Sequence, residues 1–400
     1  MTTEEFILQH RKDDVRQLAF QKDKYPEIDM PYVLDQIEGW QRACTKLPEW
    51  AATDGIVFPP HISMEQCSSE STALYKQKLS KNLMQEMGMS ELIDLTAGFG
   101  VDFSYMAKNF KKAIYVERQS HLCKIAKHNL ELLDLKHCEV RNADGVEYLN
   151  SLEVGKGRLL YLDPARRDGN GAKVFGIEDC TPNVLEIEQQ LLDKADVVMV
   201  KLSPMLDIHA AMKSLQSITQ IHIVSVGNEC KELLLVLSKA HTSPVSVFCV
   251  NDGQSFDYEY ENVENTILLG ANAKEFDKGE TFAYLYEPNA SIMKAGCFGE
   301  LSARFEVKSI GANSHLFVSN KAVEDFPGRS FRVEAISTMN KKELKKVLAG
   351  IDKANIAVRN FPLSVAELRK RLKMKDGGNV YIFATTLGEK DHRLFVCSKI

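Results

Sequence analysis

The stretch Ile93-Asp94-Leu95-Thr96-Ala97-Gly98-Phe99-Gly100-Val101-Asp102 constrains this chain more than any other. An apolar run ends in an acid, two closely spaced glycines follow, and a helical pattern starts near Val101. Gly98 and Gly100 lack a Cβ, so the backbone can take positive φ and a ligand can come close. A helix starting there aims unpaired N–H groups at whatever occupies the turn. The pattern predicts the first strand-turn-helix of a nucleotide-binding α/β domain, whose ligands lie beyond the carboxyl ends of parallel strands. An ordinary glycine-rich turn shares these features, so the neighbouring strands have to decide.

They repeat the arrangement. After the strand Leu92–Leu95 and the helix Val101–Asn109, strands are predicted at Ala113–Glu117, Cys138–Asp144, Arg158–Asp163 and Val197–Leu202. Helices are predicted at His121–Leu133 and Leu185–Leu192, and strands His222–Val226 and Val245–Val250 flank a helix predicted over Lys231–Lys239. This alternation favours a largely parallel sheet with helices on both faces, an α/β fold of Rossmann-like type. Carboxylates stand at the ends of its first four strands: Asp94, Glu117, Asp144 and Asp163. Such ends converge on one crevice.

Glu117 follows Gly98 by 19 residues, near the ~20-residue spacing of a carboxylate that accepts bonds from ribose hydroxyls. The turn is not GxGxxG, however. Its third glycine is missing, and Asp102 stands where a pyrophosphate would approach. Carboxylates repel a diphosphate and suit a ligand carrying an amine and a sulfonium. S-adenosylmethionine fits this turn better than NAD.

On either side the pattern changes. Phe6, Ile7, Val15, Leu18 and Ala19, then Val33, Leu34, Ile37 and Trp40, recur at helical spacing and predict an N-terminal helical domain over 1–64. The polar segment from Glu65 leads into a helix over Leu74–Met87; Ser68 or Ser69 can cap that helix or line the ligand pocket. The α/β domain is expected over 65–255. Beyond it, strands at Thr266–Leu269, Ala283–Glu287, Phe305–Val307 and Ser314–Val318, with a helix from about Asn289, predict an α+β module over 256–326. A last unit, 327–400, reads strand, helix, strand, helix, strand, strand, with Asn340 and Ser364 as helix caps.

Residues 327–400 hold 16 Lys+Arg against 7 Asp+Glu, while the rest of the chain holds 34 against 48. A basic module on an acidic body points to a polyanionic partner, although a solvated helix face also carries such charge. Nine cysteines at irregular spacing, without a CxxC pair, read as free thiols in a reducing cytoplasm. The ten histidines are dispersed, so no metal is expected. No apolar run approaches the ~20 residues of a membrane helix, and the polar, acidic N-terminus is unlike a secretory signal.

Residues 65–250 resemble class I S-adenosylmethionine-dependent methyltransferases through Asp94–Gly100, Glu117, Asp144-Gly145 and Asp163-Pro164-Ala165-Arg166. The resemblance implies that Thr96, Ala97, Gly98, Phe99 and Gly100, with Asp94 and Asp102, hold the amino-acid part of the cofactor. It places Glu117 on the ribose, Asn142 or Asp144 (with Gly145) at the adenine, and Asp163 beside the methyl group and target atom. Gln66, Ser68 and Ser69, the segment Lys201–Asp207, Phe326-Pro327-Gly328-Arg329 and the tail from Arg359 extend the likeness. They are similar to a bacterial group of methyltransferases that ends in a ferredoxin-like module and a THUMP-like domain. THUMP domains proper bind RNA, so tRNA or rRNA is the implied partner of the basic C-terminal domain.

Asp163-Pro164-Ala165-Arg166 is similar to the (Asp/Asn)-Pro-Pro-(Tyr/Phe) motif of amino-group methyltransferases, with Arg166 in place of the aromatic. The expected catalytic residues are therefore Asp163, Pro164 and Arg166, acting on a base nitrogen. The same stretch is similar to the Asp-Pro-Pro-Arg-x-Gly of 5-methyluridine RNA methyltransferases. Their cysteine nucleophile has no counterpart at Lys201-Leu202-Ser203-Pro204, so that chemistry is not expected. A small-molecule or protein methyltransferase, or an RNA-binding protein with a vestigial pocket, are the alternatives.

Overall fold

In a computed structural model of the chain, which describes residues 2–166, 176–239, 244–260, 281–311, 313–388 and 391–400, the N-terminal segment is helical as its spacing predicts. The strand expected at Thr266–Leu269 lies outside these residues. The chain divides into two units, one of residues 1–221 and 231–245, the other of 222–230 and 246–400.

In the first unit, the helix Thr3–His10 opens with a capping box between Thr2 and Glu5. Asp29 caps the helix Met30–Lys46, in which Pro31 occupies the first turn, where its missing N–H costs nothing. Phe6, Leu18, Met30, Val33 and Ile37 close a small core between these helices. A second core joins Ala43, Leu47, Trp50, Phe58 and Met64 to Ala73, Phe99, Val101 and Tyr105. The N-terminal helices thus share apolar packing with the glycine turn and the helix after it.

The sheet of this unit contains β1 (Glu91–Asp94), β2 (Lys112–Glu117), β3 (Cys138–Asn142), β4 (Arg158–Leu162), β5 (Val197–Leu202) and β6 (Glu229–Leu237). Their order is β6-β5-β4-β1-β2-β3. The first five run parallel, with Ile93 opposite both Ile114 and Leu160. β6 runs antiparallel to β5, with Val200 opposite Leu235. The helix expected over Lys231–Lys239 is therefore a strand. Leu233 to Leu237 form an unbroken apolar run, every member at most 1% exposed. Burial on both faces removes the polar alternation that marks a strand, and a short apolar run has no helical period to test.

In the second unit, a hairpin of Val245–Asn251 and Gln254–Tyr260 precedes a seven-stranded sheet. That sheet orders its strands as 308–309, 317–319, 284–288, 328–337, 391–399, 380–387 and 355–359. The expected boundary between 326 and 327 thus falls between strands of one sheet. Helices Lys341–Val347 and Val365–Leu372 pack on one face through Leu344, Val347, Leu368 and Leu372. Asn340 and Ser364 cap them as expected, Ser364 in a capping box with Glu367. The strand expected at Phe305–Val307 is instead the end of a helix, Phe298–Phe305, closed by Glu306 in the left-handed region at φ 52°. Phe298, Leu301 and Phe305 repeat at 3 and 4 residues, a helical period that outweighs the local strand preference.

Candidate active site

The turn after β1 is tied to both neighbouring strands. Asp94 is buried and accepts the N–H of Thr96 at 3.0 Å. Burial pushes its carboxyl well above the usual range; the Thr96 bond opposes this, and the nearby Asp102, Asp163 and Glu117 add to it. Thr96 Oγ1 accepts the N–H of Asp163 at 2.6 Å, joining the ends of β1 and β4. Gly98 donates its N–H to Glu117 Oε2 at 3.0 Å, and its carbonyl accepts the hydroxyl of Tyr115. Glu117 Oε1 accepts the N–H of Gln119 at 2.8 Å.

Gly98 and Gly100 both take positive φ, 55° and 87°, which glycine adopts without penalty. They differ in their surroundings. A Cβ on Gly100 would stand 3.1 Å from the Tyr115 ring, whereas one on Gly98 would meet only Thr96 O, at 3.9 Å. The open side of Gly98 borders a cavity of about 690 Å³.

That cavity lies at the carboxyl ends of the parallel strands. Gln66, Ser68, Asp94, Thr96, Ala97, Gly98, Phe99, Gly100, Asp102, Glu117, Asp144, Gly145, Asp163 and Pro164 all border it. Three expected site residues have other placements. Ser69 caps the helix Glu70–Met87 and does not border the cavity. Asn142 does not border it either; its amide donates to the carbonyls of Glu117 and Arg118 at 2.9 and 3.0 Å. Arg166 lies in a two-stranded ribbon, Ala165–Arg166 with Cys180–Thr181; the contacts expected of its side chain and of Arg167 fall outside the described residues.

Some bordering residues also have structural work. Phe99 packs edge-on against Trp50, ring centroids 4.8 Å apart. A Cβ on Gly145 would lie 2.1 Å from Leu95 O, so that glycine is required by backbone packing. Asp144 Oδ1 caps the helix Gly145–Ser151 through the N–H groups of Val146 and Glu147.

Asp102 departs most from expectation. It sits in the first turn of the helix Val101–Ala107 and faces inward. Its Oδ2 accepts the hydroxyls of Ser68 and Tyr161, each at 2.8 Å, and lies 3.5 Å from Lys201 Nζ. Its Oδ1 lies 3.2 Å from Lys76 Nζ. Lys76 is fully buried and also pairs with buried Glu232 on β6. Burial alone would raise the Asp102 carboxyl, but Lys76 and Lys201 hold it below the usual range. Burial pushes Glu232 in the opposite direction, up, with Asp102 adding and Lys76 opposing. Asp102 is thus neutralised by the protein itself.

Lys201, at the end of β5, also borders the cavity. Its ammonium lies 2.5 Å from Asp163 Oδ2 and 3.2 Å from Ser68 Oγ. Burial disfavours the charge, but the Asp163, Asp102 and Glu232 carboxylates outweigh it and keep the group protonated. Lys76, Tyr161 and Glu232 have no site role in the sequence reading, and Lys201 enters it only as the first residue of the segment Lys201–Asp207. A cation inside a helix or strand leaves no periodic signal. Among the described residues, no group of three or more His, Cys, Asp or Glu is placed to hold a metal ion, and no helix is long and apolar enough to cross a membrane.

The donor set fits a cofactor with hydroxyls and an ammonium group. Carboxylate oxygens line the cavity, and the open face of Gly98 leaves room where a side chain would intrude. The fold and site together define a Rossmann-like α/β architecture with its cavity at the carboxyl ends of the parallel strands.

Residues 328–399 match the family described as THUMP domain-like, and residues 284–327 match a ferredoxin-like domain family. A crystal structure of a “putative methyltransferase” from Porphyromonas gingivalis W83 is 29% identical, with a TM-score of 0.84, over 99% of this chain and 97% of that one. A SAM-dependent methyltransferase from Agrobacterium tumefaciens is 14% identical over 41% of this chain and 61% of its own, with a TM-score of 0.31. An rRNA methylase from Streptococcus thermophilus is 16% identical over 41% and 95%, also with a TM-score of 0.31. No curated protein matches the sequence. The chain is therefore similar over nearly its whole length to the Porphyromonas protein, and carries C-terminal ferredoxin-like and THUMP-like domains.

Proposed function

We propose that this protein is a cytoplasmic S-adenosylmethionine-dependent methyltransferase acting on a base nitrogen of tRNA or rRNA. The observation that carries this reading is the convergence of the Thr96–Gly100 turn, Glu117 and Asp163 on one cavity. Each Glu117 oxygen accepts one backbone N–H, and a carboxylate retains further lone pairs for ribose hydroxyls. Asp94 and the Gly98 backbone receive the amino-acid end, Gln66 and Ser68 cover it, and Asp144 faces the adenine. The cofactor supplies an electrophilic methyl group when bound. The chain's own work is to orient the acceptor, through Asp163 and the Pro164 carbonyl, and to exclude water.

The basic C-terminal residues supply the RNA contact in this reading. The four-part division at 1–64, 65–255, 256–326 and 327–400 belongs to the same proposal.

Calorimetric titration with S-adenosylmethionine, S-adenosylhomocysteine and NAD tests the pocket. Binding of the first two and not of NAD is expected; absence of both overturns the reading. Transfer of a labelled methyl group into bulk tRNA or rRNA, with nucleoside mass spectrometry, tests the substrate. Label appearing only in protein or in small molecules overturns the RNA assignment and keeps the methyl-donor site.

A further inference from the structure

Lys201 has no free donor. Its three ammonium protons have three acceptors within the protein: Asp163 Oδ2 at 2.5 Å, Ser68 Oγ at 3.2 Å and Asp102 Oδ2 at 3.5 Å. It is therefore unsuited to reading a substrate edge or to accepting a methyl group. Asp163, by contrast, has a side chain 39% exposed and borders the cavity. One of its oxygens is held by Lys201, and its backbone N–H is held by Thr96. Behind Lys201, Lys76 lies against two carboxylates, Asp102 and Glu232, and burial pushes the Glu232 carboxyl up, toward its neutral form.

We propose that Lys201 is a positioning and charge-balancing residue of the methyl-transfer site, one that fixes Asp163 and cancels its charge where the sulfonium and the acceptor meet. This rests on the reading of the cavity as a methyl-donor site. During transfer, the nitrogen lone pair forms the new C–N bond while the C–S bond pair returns to sulfur. Positive charge leaves sulfur and arrives at nitrogen, which then gives up a proton to water. A bare carboxylate close to sulfur would stabilise the starting sulfonium more than the transition state, in which that charge is dispersing. Such binding adds nothing to the rate of the chemical step. Paired with Lys201, Asp163 remains an oriented hydrogen-bond acceptor for the acceptor amine without acting as an uncompensated anion.

The test uses two ligands that differ by one methyl group and one charge. S-adenosylmethionine carries the sulfonium; S-adenosylhomocysteine has a neutral sulfur and is otherwise the same. The ratio of their dissociation constants therefore reports the field at sulfur and needs no RNA substrate. Calorimetry on the full chain would compare the wild type with Lys201→Met, Lys201→Arg and Asp163→Asn at one pH and ionic strength. Lys201→Met leaves Asp163 uncompensated and should shift the ratio toward S-adenosylmethionine by roughly three- to tenfold, the scale of one unit charge a few ångströms away in a partly hydrated site. Asp163→Asn leaves Lys201 in excess and should shift it the other way. Lys201→Arg keeps the charge and should hold the ratio within about twofold of the wild type.

A purely structural role would weaken both ligands alike, so an unchanged ratio in both Lys201→Met and Asp163→Asn overturns the proposal. If Lys201→Met fails to fold, Asp163→Asn alone decides: a ratio that stays put or moves toward S-adenosylmethionine overturns it. If the wild type binds neither ligand, the methyl-donor reading itself falls, and the role assigned to Lys201 falls with it.

Discussion

Gly98 and Gly100 stand two residues apart, both at positive φ, yet the surroundings give them different duties. An alanine at either position carries the left-handed penalty of about 1–2 kcal/mol. At Gly100 the Tyr115 ring, 3.1 Å from the new Cβ, adds to it; at Gly98, which borders the cavity, the new methyl meets only Thr96 O, at 3.9 Å. Gly100→Ala is therefore expected to lower the melting temperature more than Gly98→Ala. Gly98→Ala is expected to weaken S-adenosylmethionine binding more than its stability loss accounts for. Melting curves and calorimetry on the two variants separate the effects; equal binding loss in both would remove the distinction. This contrast was only half legible in the sequence. Two glycines after an acid-ended strand announce an unusual turn, but which one faces a ligand depends on Tyr115, a residue of the next strand. Gly145 shows the same limit from the other side. It read as part of a ligand motif, while its missing Cβ makes room for the carbonyl of Leu95.

At the scale of elements, one buried cation links three of them. Lys76 comes from the helix Glu70–Met87, Asp102 from the helix Val101–Ala107 and Glu232 from β6. Removing one partner of a buried pair leaves the others desolvated and unmatched, so Lys76→Met is expected to cost about 3–5 kcal/mol. Adding Glu232→Leu should recover part of that. Chemical denaturation of the single and double variants measures both. The pH dependence follows from Asp102, which Lys76 and Lys201 hold below its ordinary value against the cost of burial. A depressed carboxyl contributes stability that is present above its unfolded pKa of about 3.9 and lost as pH falls through the folded value. Asp102→Asn, already without that contribution at neutral pH, should lose less stability than the wild type on acidification below about pH 4. An equal loss in both would show that Asp102 is not the group responsible. The helices Glu70–Met87, Val101–Ala107, Ser120–Leu132 and Val184–Lys194 and the first five strands were readable from caps, acids at strand ends and apolar periods, whereas the short helices Gly145–Ser151 and Ile208–Ser214 were not. The strand Glu229–Leu237 was not, because burial on both faces erases the alternation that separates strand from helix. The pairing of Lys76 with a residue 156 positions away has no local trace at all.

For the molecule as a whole, the uneven charge becomes specific once the C-terminal helices are in place. Lys341, Lys342, Lys345 and Lys346 on one helix, and Lys370 and Arg371 on the other, carry the excess. Both helices pack on the same face of their sheet, through a shared apolar layer. Lysines spread at random over a surface would bind a polyanion weakly from any direction, whereas two basic helices on one face can track a phosphate backbone. Charge reversal at Lys342, Lys345 and Lys370 should weaken binding to tRNA or rRNA. It should also reduce the slope of log affinity against log salt by about 1 for each phosphate that is no longer neutralised. The dissociation constant for S-adenosylmethionine should stay where it was, since the proposed cofactor cavity lies among residues of the other unit. Filter binding across a salt series, paired with calorimetry, makes both measurements. An unchanged salt slope would mean that these lysines are an ordinary solvated face, and the acceptor would then have to be sought among substrates recognised by the α/β unit alone.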